Sequence, residues 1–281
     1  MDSVSSTAMF AAQVRAAHAL LDHDPVFVDP FALALAGVSE AEVRDLFTAI
    51  PEATARVARV LPNQRARFVD EEVETAVHRG VDQFVIMGAG LDSFAWRRTD
   101  LMPVIDLFEV DHPMTQGWKQ ERLAAVGLEV PSNLHFVGVD FATAGGFSEE
   151  LTSAGFNPSQ PSVWSWLGVV VYLSIEAVES TLRTMSELAA PGSRLLASYT
   201  VPRGLMDSDS REFDDLARAA AAEGGEPHVS FLAPDEIETI AGRAGWHTVR
   251  SADPSSLSSY FAGRTDGLTP VGYEWILVAD A

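Results

Sequence analysis

The stretch Asp82-Gln83-Phe84-Val85-Ile86-Met87-Gly88-Ala89-Gly90-Leu91-Asp92-Ser93 narrows the folds open to this chain more than any other. Phe84 to Met87 is an unbroken apolar, partly β-branched run, the character of a strand buried on both faces of a parallel sheet. Gly88 and Gly90 then allow a sharp turn with no Cβ in the way. In open α/β sheets the ends of such strands form the binding crevice. A second acidic strand end follows at Phe108-Glu109-Val110-Asp111, and Gly90 to Asp111 is 111 − 90 = 21 positions. That is about the spacing at which a carboxylate reaches the hydroxyls of a ribose. A tight turn alone would explain the glycine pair; the turn together with the spaced acid predicts a nucleoside site.

The pattern around this stretch agrees with it. From residue 82 onward strand and helix alternate, which argues for a doubly wound, mostly parallel sheet. Seven strands are predicted, over residues 83–88, 104–110, 134–139, 162–172, 194–200, 247–251 and 273–279, with helices over 113–126, 147–154, 175–189, 209–223 and 234–244. Earlier residues read as helices alone: 10–21, a short turn at 31–36, 39–50 opened by a Ser39 cap, and 64–78 stopped by Gly80. The predicted organisation is an α/β fold with residues 1–80 as an N-terminal helical cap, 81–281 as a Rossmann-like core, and a lid insertion near 202–230.

Composition removes several function classes. The chain has 281 residues, 47% of them hydrophobic and 21% charged, which suits a large globular core. Its formal charge is −21, from 19 Lys and Arg against 40 Asp and Glu. Nucleic acid and anionic membrane both bind through Lys and Arg, so the expected partner is a small molecule and neither polyanion, with self-association left open. There is no cysteine, which excludes thiolate chemistry and fits the cytosol. No basic start with an apolar run resembles a secretory signal, and the longest apolar stretch, 163–173, is too short to span a bilayer. The seven histidines show no metal-ligand spacing, so no metal is expected.

Other residues are candidates with ordinary alternatives. Ser93 stands where a dinucleotide fingerprint has its third glycine, which disfavours a nicotinamide oxidoreductase. One of Glu109 and Asp111 is expected to reach the crevice, and Asp140 with Phe141 could bracket a purine or merely cap a loop. Trp164, Trp166 and Tyr172 could floor an aromatic pocket or belong to the core.

Taken together, Arg65-Ala66-Arg67-Phe68-Val69-Asp70, Gly88-Ala89-Gly90-Leu91-Asp92-Ser93, Phe108-Glu109-Val110-Asp111-His112-Pro113, Val139-Asp140 and Val169-Val170-Val171-Tyr172-Leu173 resemble the leucine carboxyl methyltransferase family of S-adenosylmethionine-dependent enzymes. Asp29-Pro30-Phe31-Ala32 is similar to that family's Asp-Pro turn. The resemblance implies an O-methyltransferase core that binds S-adenosyl-L-methionine and releases S-adenosyl-L-homocysteine. It implies that Arg67, or alternatively Arg65, pairs with the cofactor's carboxylate, that Gly88, Ala89 and Gly90 admit its backbone approach, and that Asp111 and His112 lie at the ribose. Asp140 and Phe141 would lie along the adenine, and Leu167 and Gly168 at the methionine end. The family usually has an acid where this chain has Leu167. Backbone carbonyls could serve its ammonium, another acid could substitute, or methyl transfer could have given way to a cyclisation or decarboxylation. A carboxylate acceptor needs no base; a hydroxyl does, and His112 or Tyr172 is the sequence's candidate.

Overall fold

The apolar runs assemble into one seven-stranded sheet in the computed structural model, which describes residues 6–139 and 147–281. In chain order the elements are α1 (Ser6–Leu21), α2 (Ala32–Ala36), α3 (Glu40–Thr48), α4 (Glu52–His78), β1 (Gln83–Met87), α5 (Phe94–Arg97), β2 (Asp106–Asp111), α6 (Pro113–Ala125), β3 (Leu134–Gly138), α7 (Ser148–Ser153), β4 (Ser162–Trp166), α8 (Ile175–Leu188), β5 (Arg194–Thr200), α9 (Ser208–Glu223), α10 (Pro234–Arg243), β6 (His247–Ala252) and β7 (Glu274–Asp280). Strand order is β3-β2-β1-β4-β5-β7-β6, with β7 antiparallel to both neighbours and the remaining pairs parallel. The order reverses between β1 and β4, and a crevice opens at the carboxyl ends of strands that part in this way.

Alternation along each strand sorts the core into two layers. Val85, Met87, Phe108, Val110, Trp164 and Trp166 fill one face, while Phe84, Ile86, Leu107, Val163 and Leu196 fill the other. Both faces are covered by helices, as a mostly parallel sheet requires. The doubly wound, mostly parallel expectation therefore holds.

The elements depart from the expected ones in four places. The fourth strand was expected over 162–172 but stops at Trp166, because Gly168 takes a left-handed φ of 68° and a 3₁₀ turn follows over Val170–Tyr172. An apolar run buried on all sides looks the same in sequence whether extended or coiled. The helix expected over 64–78 begins twelve residues earlier, at Glu52, and passes through Pro62. Proline removes one helical N–H, yet Val57, Val60 and Leu61 before it and Val69 and Val73 after it are buried, so tertiary packing against the core overrides it. The 3₁₀ helix over Pro254–Phe261 and the single turn of α5 carried no periodic signal.

Glu109 shows how strictly the layers are sealed. Its carboxylate lies 2.5 Å from the Lys119 ammonium of α6, both side chains are almost wholly buried, and Oε1 has no partner among the described residues. Desolvation outweighs the lysine's pull and raises the Glu109 carboxyl to about 7. Lys119→Met alone should therefore cost about 3 to 5 kcal/mol in urea unfolding, by leaving the acid uncompensated, whereas Glu109→Leu combined with Lys119→Met should recover wild-type stability or exceed it. Equal losses in the single and double variants would contradict this account.

Candidate functional site

The glycine turn forms because β1 ends against the last residues of β2. The N–H groups of Gly88 and Ala89 both donate to the Val110 carbonyl, at 2.8 and 3.2 Å. Gly88 and Gly90 adopt φ values of 66° and 53°, a region where a side chain is strained. A Cβ on Gly88 would stand 2.5 Å from Val169 Cγ2, so the turn also has no room for one. Gly90 approaches Ala8 of α1, which brings the N-terminal helix over the turn.

Asp111 closes the turn from below. Its carboxylate accepts the Gly90 N–H at 2.5 Å and the His112 N–H at 2.6 Å. Burial lifts the carboxyl above its usual range, and the two N–H donors, Lys119 and His112 work against that rise without cancelling it. Of the two acids at this strand end it is Asp111 that meets the turn, while Glu109 is committed to Lys119 under α6. His112 caps α6 by accepting the Met114 N–H on Nδ1 at 3.2 Å, so one ring nitrogen is already engaged. Asp140 and Phe141 lie outside the described residues.

The far wall comes from the end of β4. Gly168 donates its N–H to Ser198 Oγ at 2.8 Å, and Arg65 Nη2 comes within 2.5 Å of the point where a Gly168 Cβ would stand. Arg65 Nη1 also meets Glu274 Oε2 at 2.6 Å. Arg67, expected at the cofactor's carboxylate, is turned elsewhere: it bonds Glu71 and the Val26 carbonyl and its guanidinium lies 4.2 Å from the Tyr260 ring centroid. Two helical positions apart means about 200° around the axis, so only one of these arginines can turn toward Gly168, and Arg65 does. Leu167 packs into the apolar layer with Phe84 and Leu196.

Beyond Gly168 lies a polar group that sequence reasoning largely missed. Tyr172 lies edge-on to His228, with ring centroids 5.3 Å apart, and burial pushes its phenol up to about 12, so it keeps its proton and can donate but not serve as a base at neutral pH. His228 Nδ1 lies 3.2 Å from the Tyr273 hydroxyl, which lies 3.3 Å from Asp214 Oδ1. Burial depresses the His228 pKa despite the neighbouring Glu274 and Asp214, and Arg218 adds to the effect, so the ring is neutral at pH 7. The loop carrying His228 is fixed by the N–H groups of Val229 and Ser230 donating to the Val171 carbonyl, and Thr7 of α1 bonds Glu226. Trp164 and Trp166, in contrast, are fully buried core rather than a pocket floor. An acid ahead of the apolar run 275–279 at Glu274 was the available signal, and it points to the carboxyl-end edge only once β7 is known to run antiparallel.

A reversal of strand order with a glycine turn at the break, and an acid held at the neighbouring strand end, suit an adenosyl group, and the chain is of the S-adenosyl-L-methionine-dependent methyltransferase class. Within that class it belongs to the leucine carboxyl methyltransferase family, whose profile matches residues 8–186. A Bacillus subtilis (strain 168) protein named "Putative S-adenosyl-L-methionine-dependent methyltransferase YktD" is 30% identical over 210 residues, 74% of this chain and 68% of its own length. A Mycolicibacterium paratuberculosis (strain K-10) relative, named likewise without the suffix, is 29% identical over 92% of this chain and 87% of its own. A solved DUF574-family protein from Streptomyces avermitilis shares the fold at a TM-score of 0.60 and 16% identity, covering 95% of this chain and 96% of its own. Among the described residues no helix is long and apolar enough to cross a membrane.

Two outcomes follow for cofactor binding, read by calorimetry with S-adenosyl-L-homocysteine. Asp111→Asn should weaken binding by about 1.5 to 3 kcal/mol, the scale of a hydrogen bond to a charged group. Because the Asp111 carboxyl titrates above the usual 3.8, wild-type affinity should fall as pH is lowered through that raised value, while Asp111→Asn stays flat. An unchanged affinity in the variant would remove Asp111 from the site.

Proposed function

We propose that this chain transfers a methyl group from S-adenosyl-L-methionine to an oxygen of a small, natural-product-like acceptor, a carboxylate or a hydroxyl, in the cytosol. The residues present suit the cofactor: the glycine turn leaves the space a Cβ would fill, Asp111 presents a carboxylate at the end of β2, and Arg65 offers the planar fork that a carboxylate takes through two hydrogen bonds. The bound sulfonium supplies an already electrophilic methyl, so the protein's share is alignment and exclusion of water.

The observation that carries the oxygen reading is the polar wall across Gly168 from the turn, in particular His228. With Nδ1 directed to Tyr273, the ring presents Nε2 as the atom able to take a proton. For a hydroxyl acceptor, Nε2 would take the proton that the oxygen gives up as it becomes the nucleophile. A carboxylate acceptor is already ionised and needs only the alignment. Roofing falls to α1 and the 202–230 segment, which meet through Thr7 and Glu226 and would set acceptor choice. The formal charge of −21 favours a small acceptor over nucleic acid.

Incubation with methyl-labelled cofactor and parallel sets of phenols and carboxylic acids tests this. Label should appear in an O-methyl ether or ester. His228→Gln should lower turnover of hydroxyl acceptors by roughly 10²- to 10⁴-fold while leaving carboxylates within a few-fold. Cofactor binding without methyl transfer to any member of either set would favour a non-methylating reaction instead.

A further inference from the structure

Arg65 and Glu274 form a charged pair at the rim of the crevice, 2.6 Å apart, with side chains 15% and 8% exposed. The helix α4 supplies one partner and the first residue of β7 the other, 209 positions apart in sequence. Gly168 admits the arginine because any side chain there would collide with its guanidinium. Glu274 is paired across the sheet with Thr200 at the end of β5, so both charges stand at the same carboxyl-end edge as the glycine turn. A ligand carboxylate arriving on Arg65 would bring a second negative charge beside a buried Glu274 and take away its partner. Leaving a buried acid uncompensated costs several kcal/mol, so the arrangement tolerates a carboxylate only when a cation comes with it. The methionine half of the cofactor carries that combination, a carboxylate and an ammonium on one carbon.

We infer that Glu274 receives the α-ammonium of the bound cofactor while Arg65 receives its carboxylate, an inference that rests on the crevice being the cofactor site. One ion pair within the protein is exchanged for two with the ligand, and no buried charge is left alone. The acid comes from β7 rather than from the end of β4, where Leu167 faces the apolar layer. The consequence is selectivity: the subsite discriminates for an amino acid over a plain carboxylic acid on the same adenosyl thioether.

Calorimetry with two ligands tests it without any acceptor: S-adenosyl-L-homocysteine, and the analogue in which hydrogen replaces the α-amino group. Wild type should bind the amino ligand at least about tenfold more tightly. Glu274→Gln should weaken the amino ligand by about 10- to 100-fold and leave the deaminated one unchanged or tighter, erasing the preference. Glu274→Asp, which keeps the charge, should retain part of the preference and serves if the glutamine variant does not fold. Equal losses for both ligands would show that Glu274 only holds Arg65 in place and would overturn the inference, as would a wild type without preference. Failure of wild type to bind either ligand would overturn the cofactor site itself, a result distinct from the other two.

Discussion

One carboxylate sewn to two backbone N–H groups holds the crevice together. Asp111 joins the exit of β1, through Gly90, to the start of α6, through His112, and Val110 completes the seam by accepting from Gly88 and Ala89. A buried acid is costly unless its lone pairs are met, and here the backbone itself meets them. The turn is consequently preorganised: its glycines are fixed in left-handed conformations by bonds that do not depend on any ligand.

The bracing comes from ion pairs reaching in from the helical N-terminus. Arg15 bonds both Asp29 and the Leu91 carbonyl at 2.9 and 2.6 Å, tying α1 and the Asp29-Pro30 turn to the loop after Gly90. Burial alone would raise the Asp29 carboxyl, but the charge of Arg15 and the Ser93 hydroxyl hold it below the usual range. Arg97 of α5 pairs with Asp70 of α4 and lies over the Phe27 ring at 4.7 Å. Asp29 and Asp70, both in stretches that resemble the family, thus serve the loop's position without facing the crevice.

The wall across Gly168 from the turn is built differently. Its groups come from the turn after β4, from α9 and the loop after it, and from the residue before β7, and they are linked side chain to side chain from Asp214 through Tyr273 and His228 to Tyr172. Asp214 is itself held by Arg203 and Arg218 at the buried end of the chain of contacts. Such networks are stiff when fully partnered, and this one fixes the orientation of the His228 ring.

The sequence alone determined the sheet, the glycine turn and the acid that meets it, since strand periodicity, backbone freedom at glycine and the β1-to-β2 interval are local or nearly local properties. Element ends escaped it where burial on all sides hides periodicity, as at Val169 to Tyr172, and where packing overrides a helix breaker, as at Pro62. Only the tertiary structure decided which arginine of α4 turns inward, and that His228, Tyr273 and Glu274 gather beside it. Those choices depend on the rotation of one helix and the antiparallel course of β7, which bring together residues about two hundred positions apart and leave no mark in any short stretch of the chain.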